Sequence, residues 1–425
     1  MGERVTKDAS TLRLSRRQSL GLAAATGVML AAPAVMGQAR ARVVVVGGGA
    51  AGAAAARRMA GTLDVTLIEP NPVYKSCFFS NLALGGFLPF DVLSHSYDGL
   101  VAAGVRLVSG RAAAVETTEV LMEDGTRVPF DRCVLAPGIA YRDNSLAGWS
   151  PEQEGVIPSA YVTGGNPERI REQVLALPQG GTWCIVVPPD LSRCPPAPYE
   201  RVSMVAHLLA STNPTAKILI VDPKPGFAKQ ALFEEGWQNH YTGMIDRLGP
   251  DFGGDKVEID AANMQVIVDG VPEAADAINV IPAQWAGPLA LASGVVDETG
   301  WCPVAGTDMR SDLRGDLHVL GDAARMGRMP KAASSAVSQA QVVADTIVAE
   351  LAGGPMPDAQ FASICWSAIA DGNSVKEQTV YGIGPDGPVV DKHEISQTGE
   401  DPELRKRNWD EAFAWYAAIT TEIFG

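Results

Sequence analysis

Arg42-Val43-Val44-Val45-Val46-Gly47-Gly48-Gly49-Ala50-Ala51-Gly52, running on through Ala53 to Ala56 into Arg57-Arg58-Met59, holds the first clue to the architecture. Four consecutive valines leave no polar face, which suits a strand buried on both sides in a parallel sheet. An Ala-rich helix starting near Ala50 follows a turn of glycines. The Gly47-x-Gly49-x-x-Gly52 spacing lets backbone N–H groups approach a pyrophosphate, because side chains would hold it off, and the positive end of the helix faces that charge. Val65-Thr66-Leu67-Ile68-Glu69 supplies a second strand, with Glu69 at its carboxyl end placed to accept hydrogen bonds from a ribose. Strand, glycine turn, helix and acid in this order predict a dinucleotide-binding unit.

Working outward, two later segments return to that unit. Phe130 to Gly138 is an apolar strand ending in Pro137-Gly138, and Asp316 to Ala324 is a strand ending in Gly321-Asp322-Ala323 before a small-residue helix. They resemble the return segments of disulfide-oxidoreductase-like flavoproteins, which implies FAD, with Asp322 on its ribityl chain or phosphate. The alternative role for Asp322 is a helix N-cap. Between 151 and 284 a second unit is expected, with strands at 182–187 and 217–221 flanking a helix from about Tyr199 to Ala210. Its first strand leads into Pro188-Pro189-Asp190-Leu191-Ser192-Arg193-Cys194-Pro195-Pro196, without a glycine, so a pyrophosphate is kept from the backbone and NAD(P)H is disfavoured as electron donor. The expected fold is α/β: two Rossmann-like dinucleotide-binding domains of glutathione reductase type plus a C-terminal interface domain. The expected segments are 1–39 (signal), 40–150 and 285–351 (FAD-binding), 151–284 (degenerate NAD-type) and 352–425 (C-terminal). In the last of these, Trp409, Ala412, Phe413, Tyr416, Ile419 and Ile423 fall at helical spacing, and the acidic neighbours favour packing against protein over membrane docking.

The chain has 425 residues, 46% of them hydrophobic and 20% charged, with a net charge of −15. That composition is globular, and the charge repels phosphate backbones, so nucleic acid is excluded as a ligand. Ser15-Arg16-Arg17-Gln18-Ser19-Leu20, the weakly apolar run Gly21 to Val35 and Gly37-Gln38-Ala39 resemble a twin-arginine signal with its cleavage site, implying export to the periplasm. The apolar run is short for a membrane span, so no integral segment is expected in the mature chain.

The cysteines carry a closer resemblance. Tyr74-Lys75-Ser76-Cys77-Phe78-Phe79-Ser80-Asn81, Arg193-Cys194-Pro195-Pro196-Ala197-Pro198-Tyr199-Glu200-Arg201, Lys229-Gln230 with Gly236-Trp237, Gly300-Trp301-Cys302-Pro303-Val304, Met329-Pro330-Lys331 and Cys365 together resemble the flavoprotein subunit of flavocytochrome c sulfide dehydrogenase, a cousin of sulfide:quinone oxidoreductase. The resemblance implies FAD bonded through Cys77, with Asn81 in the same block, and a redox-active disulfide between Cys194 and Cys365. It further implies HS⁻ opening that bridge, Glu200 taking the proton, and Lys331 beside the flavin pyrimidine edge. Phe78 and Phe79 depart from the more polar neighbours of Cys77 in the family. Electrons would leave for a c-type cytochrome subunit, since this sequence has no Cys-x-x-Cys-His of its own. Cys133 and Cys184 read as buried small hydrophobes, and Cys302 as structural or an extra redox thiol. Two other readings fit the same residues: a sulfide:quinone reductase-like enzyme, and a non-catalytic flavoprotein partner of a thiosulfate-oxidising system.

Overall fold

A computed structural model describes residues 40–425 apart from 163–164 and 385–386. The twin-arginine reading therefore lies outside the described residues. The valine run forms the strand Arg42–Val46, buried from Val43 onward, at the centre of a five-stranded parallel sheet. Asp64–Glu69 and then Arg106–Ser109 lie on one side of it, Arg132–Leu135 and then Leu317–Val319 on the other. The helix Ala50–Met59 packs on this sheet beside the long helix Ala333–Ala352. Gly321–Ala323 forms a single 3₁₀ turn, and the small-residue helix begins only at Ala333, so Asp322 is not its N-cap.

The second unit repeats the plan. Thr182–Val186, Lys217–Val221, Ile245–Leu248 and Ala277–Val280 form a four-stranded parallel sheet, with a three-stranded antiparallel meander before the last strand; in the first unit a like meander, Ala112–Val115, Glu119–Met122 and Arg127–Pro129, precedes Arg132–Leu135. The helix after its first strand spans Ala197–Thr212. Both units are Rossmann-like, as the two strand–turn–helix patterns predict.

The C-terminal segment contains more than the expected helix. Phe361–Ala370, Asn373–Gly384 and Gly387–Ile395 form an antiparallel sheet, followed by the helix Pro402–Phe424. Trp409, Ala412, Tyr416, Ile419 and Ile423 are buried, so the periodic face packs on protein. Among the described residues no helix is long and apolar enough to cross a membrane.

Candidate active site

The glycine turn is built for two different reasons. A Cβ on Gly47, at φ +103°, would lie 2.2 Å from the Ala136 carbonyl oxygen, and one on Gly52 would lie 1.9 Å from the Gly47 carbonyl oxygen, so the chain's own packing excludes side chains there. A Cβ on Gly49 would meet nothing nearer than Tyr74, at 3.9 Å. The protein leaves that space open at the N-terminus of Ala50–Met59, where no side chain caps the helix and no acid stands in its first turn. A pyrophosphate fits this position, because the leading N–H groups and the helix dipole are free to receive it. Glu69 secures the turn: its carboxylate accepts from the Gly48 N–H at 2.7 Å and from the backbone and side chain of Asn71 at 2.9 and 2.7 Å.

From this turn a cleft runs to the second unit and the C-terminal sheet. Gly49, Gly52, Gly138, Asp322 and Lys331 line it on the first unit, Cys77 and Asn81 along its wall, and Cys194, Glu200 and Cys365 at its far end. An adjoining hollow, sharing Gly49 and Gly138, is lined by Gly47, Glu69 and Pro137. Every residue singled out in the sequence as a site candidate thus borders one or the other of these two adjoining hollows.

Cys194 precedes the helix Ala197–Thr212 and Cys365 sits on the strand Phe361–Ala370. Both are free thiols in this structure, so the bridge implied by the resemblance is not formed, but they are neighbours and interact directly. Their interaction lowers the Cys365 thiol pKa, helped by the nearby Lys229 ammonium, and raises that of Cys194. Cys194 holds the left-handed conformation, φ +48°, which costs a non-glycine residue about 1–2 kcal/mol. Its N–H donates to the Lys331 carbonyl at 2.7 Å, while the Tyr161 hydroxyl reaches the Arg193 and Cys194 carbonyls at 2.6 and 3.1 Å.

Glu200, in the first turn of that helix, accepts from Asn81 Nδ2 at 2.8 Å and from the Ala368 N–H at 2.9 Å. Removal from water pushes its carboxyl up to about 7 despite these donors, which suits a group that exchanges protons near neutrality. Lys331 is buried: Nζ donates to the Asp322 and Ala324 carbonyls at 2.9 and 2.7 Å and lies 3.8 Å from the centre of the Trp301 ring. Burial lowers it to about 8. Burial also raises Asp322, opposed by the Arg193 guanidinium 3.9 Å away.

Cys77 is exposed to the cleft. The two phenylalanines after it have a packing reason: Phe78 meets Trp415 and Tyr416, and Phe79, at φ +70°, stacks on Tyr416 at 4.4 Å and meets Phe413 edge-on. They pin the Cys77 segment to the C-terminal helix. Cys133 and Cys184 are fully buried in strands, and burial raises both thiols. Cys302 is equally buried, its thiol pushed up to about 12. Sequence reasoning missed Lys229, Arg193 and Tyr161 as site residues. The first two stood inside quoted blocks, but neither sits at a spacing that signals a role.

The corresponding cleft of the second unit is filled by the chain itself. Asp222, just past the strand Lys217–Val221, has no exposed surface; it accepts from the Tyr199 hydroxyl at 2.7 Å and pairs with Arg247 and Lys224, each at 2.9 Å. Phe227 stacks on Tyr199 with ring centroids 3.6 Å apart.

Residues 41–163 match the family model Pyridine nucleotide-disulphide oxidoreductase. Residues 168–282 match Sulfide dehydrogenase (flavocytochrome c) flavoprotein chain, central, and residues 357–424 match Flavocytochrome c sulphide dehydrogenase, flavin-binding. Among solved structures, the sulfide:quinone oxidoreductase of the hyperthermophilic bacterium Aquifex aeolicus aligns with a TM-score of 0.67 at 16% identity, over 90% of this chain and 92% of the other. NDH2 of Plasmodium falciparum aligns at 0.64 and 10% identity over 91% and 97%. Putidaredoxin reductase, in its covalent complex with putidaredoxin, aligns at 0.61 and 18% over 88% and 94%. At these identities the structural likeness establishes the fold.

Proposed function

Because the chain belongs to the flavocytochrome c sulfide dehydrogenase flavoprotein family, we propose that it is a periplasmic FAD-dependent sulfide dehydrogenase that works through the Cys194–Cys365 pair and delivers electrons to a c-type cytochrome. The observation that carries this reading is the meeting of two thiols, distant in sequence, with a proton-exchanging carboxyl at the end of a dinucleotide cleft.

In the oxidised pair, HS⁻ attacks one sulfur: the Cys194–Cys365 bond breaks, a persulfide forms on one residue, and the electron pair leaves on the other. Glu200 takes the proton of the incoming H₂S and returns it to solvent, its carboxyl aimed by Asn81 and the Ala368 N–H. Left-handed Cys194 is kept facing the cleft by Lys331 and Tyr161. FAD supplies a two-electron acceptor that can release its electrons singly to a haem. Gly47, Gly49, Gly52 and Glu69 would hold its pyrophosphate and ribose side. Pro137, Gly138 and Asp322 line the same cleft and would hold the cofactor there, Lys331 would offer it a cation, and Cys77 would tether it through a thioether beside Asn81. The acidic surface suits a cytochrome that presents a basic face.

Acid precipitation tests the tether: the pellet of the native protein keeps its flavin and that of Cys77→Ser releases it. Sulfide-dependent reduction of added cytochrome c tests the reaction, and reduction of a soluble quinone with no reduction of cytochrome c contradicts the acceptor.

A further inference from the structure

Lys229 has no place in the reading above. It opens the helix Gln230–His240 in the left-handed conformation, φ +65°, and its side chain has no exposed surface. Burying an ammonium is costly, so its surroundings show what it serves. Nζ lies 3.1 Å from Ser367 Oγ, 3.4 Å from the Cys365 carbonyl oxygen and 3.8 Å from Glu377 Oε2. Glu377 stands directly opposite Cys365 across the strand pair and is held on its other oxygen by His393 at 3.1 Å. Cys365 is therefore faced by Cys194 and Glu200 from the adjoining turn and helix, by Lys229 from the next helix, and by Glu377 from the paired strand. Of these charged groups only Lys229 is a cation.

Building on the proposed reaction, we propose that Lys229 is a positioning residue that makes Cys365 the thiolate of the pair, so that HS⁻ opens the bridge at Cys194. The S–S bond between the cysteines breaks, a new S–S bond forms between the sulfide sulfur and Cys194, and the electron pair departs on Cys365, beside the ammonium. The better-stabilised thiolate is the better leaving group. Lowering of the Cys365 thiol by Lys229 agrees with this geometry.

The test needs no sulfide in its first arm. Reduced, flavin-loaded protein is alkylated with iodoacetamide across a pH series and each cysteine is quantified by mass spectrometry. Cys365 should react at least tenfold faster than Cys194 at neutral pH. Lys229→Met should raise the midpoint for Cys365 by one pH unit or more, Lys229→Arg should restore it, and Glu377→Gln should lower it. Opposite signs for the two charge removals are a signature that local misfolding does not produce. An unchanged midpoint in Lys229→Met overturns the proposal. In the second arm, one equivalent of sulfide is added to oxidised protein and the pair is trapped. Sulfur on Cys194 supports the direction and sulfur on Cys365 overturns it. No added sulfur on either residue, with the alkylation signature intact, counts against sulfide as substrate while Lys229 keeps its role.

Discussion

The molecule contains the same βαβ design twice and uses it in opposite ways. In the first unit the strand Arg42–Val46 passes through three glycines into its helix within four residues, and the acid of the next strand, Glu69, ties down the turn while the space over Gly49 stays open. In the second, Thr182–Val186 leads through a proline-stiffened stretch, the helix waits until Ala197, and the matching acid, Asp222, is consumed by Tyr199, Lys224 and Arg247. Topology alone therefore does not confer nucleotide binding. It depends on which side chains stand at the turn and what already occupies the acid. That loop carries Cys194 to the edge of the first unit's cleft, so the half whose acid is already engaged supplies a thiol to the other.

The contrast breaks most visibly at the glycines. Gly52→Ala drives a Cβ into backbone that cannot retreat, and purified protein should retain less than about a tenth of the native flavin. Gly49→Ala meets only Tyr74, at an ordinary contact distance of 3.9 Å, so it should leave the melting temperature nearly unchanged and still weaken flavin retention. Equal destabilisation by the two would erase the distinction drawn between them. In the second unit, Asp222→Ala strands Arg247 and Lys224 in a buried setting and should cost about 3–5 kcal/mol in urea unfolding. It should bring no NADH binding, because Tyr199 and Phe227 still fill the cleft.

Glu200, where the two halves meet, gives a smaller and pH-dependent effect. Its carboxyl is raised in the folded state from an ordinary 4.5 to about 7, so ionisation opposes folding: its stabilising contribution is complete below pH 4.5 and is lost as pH rises towards 7. Glu200→Gln removes that loss, and at pH 8 the variant should be more stable than the native protein by at most about 3 kcal/mol, with little difference at pH 4. Its sulfide turnover should nevertheless fall by about a hundredfold or more. Smallest of all, Arg42→Ala removes an exposed pair with Asp131, at 2.8 Å, outside both clefts, and should leave the urea midpoint within the scatter of repeat measurements.

What could be read from the sequence follows the range of the physics. Gly47, Gly49, Gly52 and Glu69 speak through local spacing, because a turn and two strand ends are built from neighbours in the chain. The parallel strands announced themselves by continuous apolar runs. The antiparallel sheet of residues 361–395 did not, since Phe361–Ala370 is partly covered on both faces and shows no clean alternation. Cys194 and Cys365 meet only through the docking of that sheet on the second unit, which no spacing rule reports, and a family resemblance had to suggest it. Lys229 was hidden for the same reason: a lysine reads as surface until the fold closes over it. The filling of the second cleft likewise depends on Asp222, Tyr199, Phe227 and Arg247 converging from four separate segments.

Anaerobic addition of sulfide to the native protein and to its Cys194→Ser and Cys365→Ser variants, all loaded with flavin, tests the account most directly. The native protein should bleach with about one sulfide per flavin, and both variants should stay yellow. Bleaching of either variant at the native rate would contradict a reaction that passes through the paired thiols.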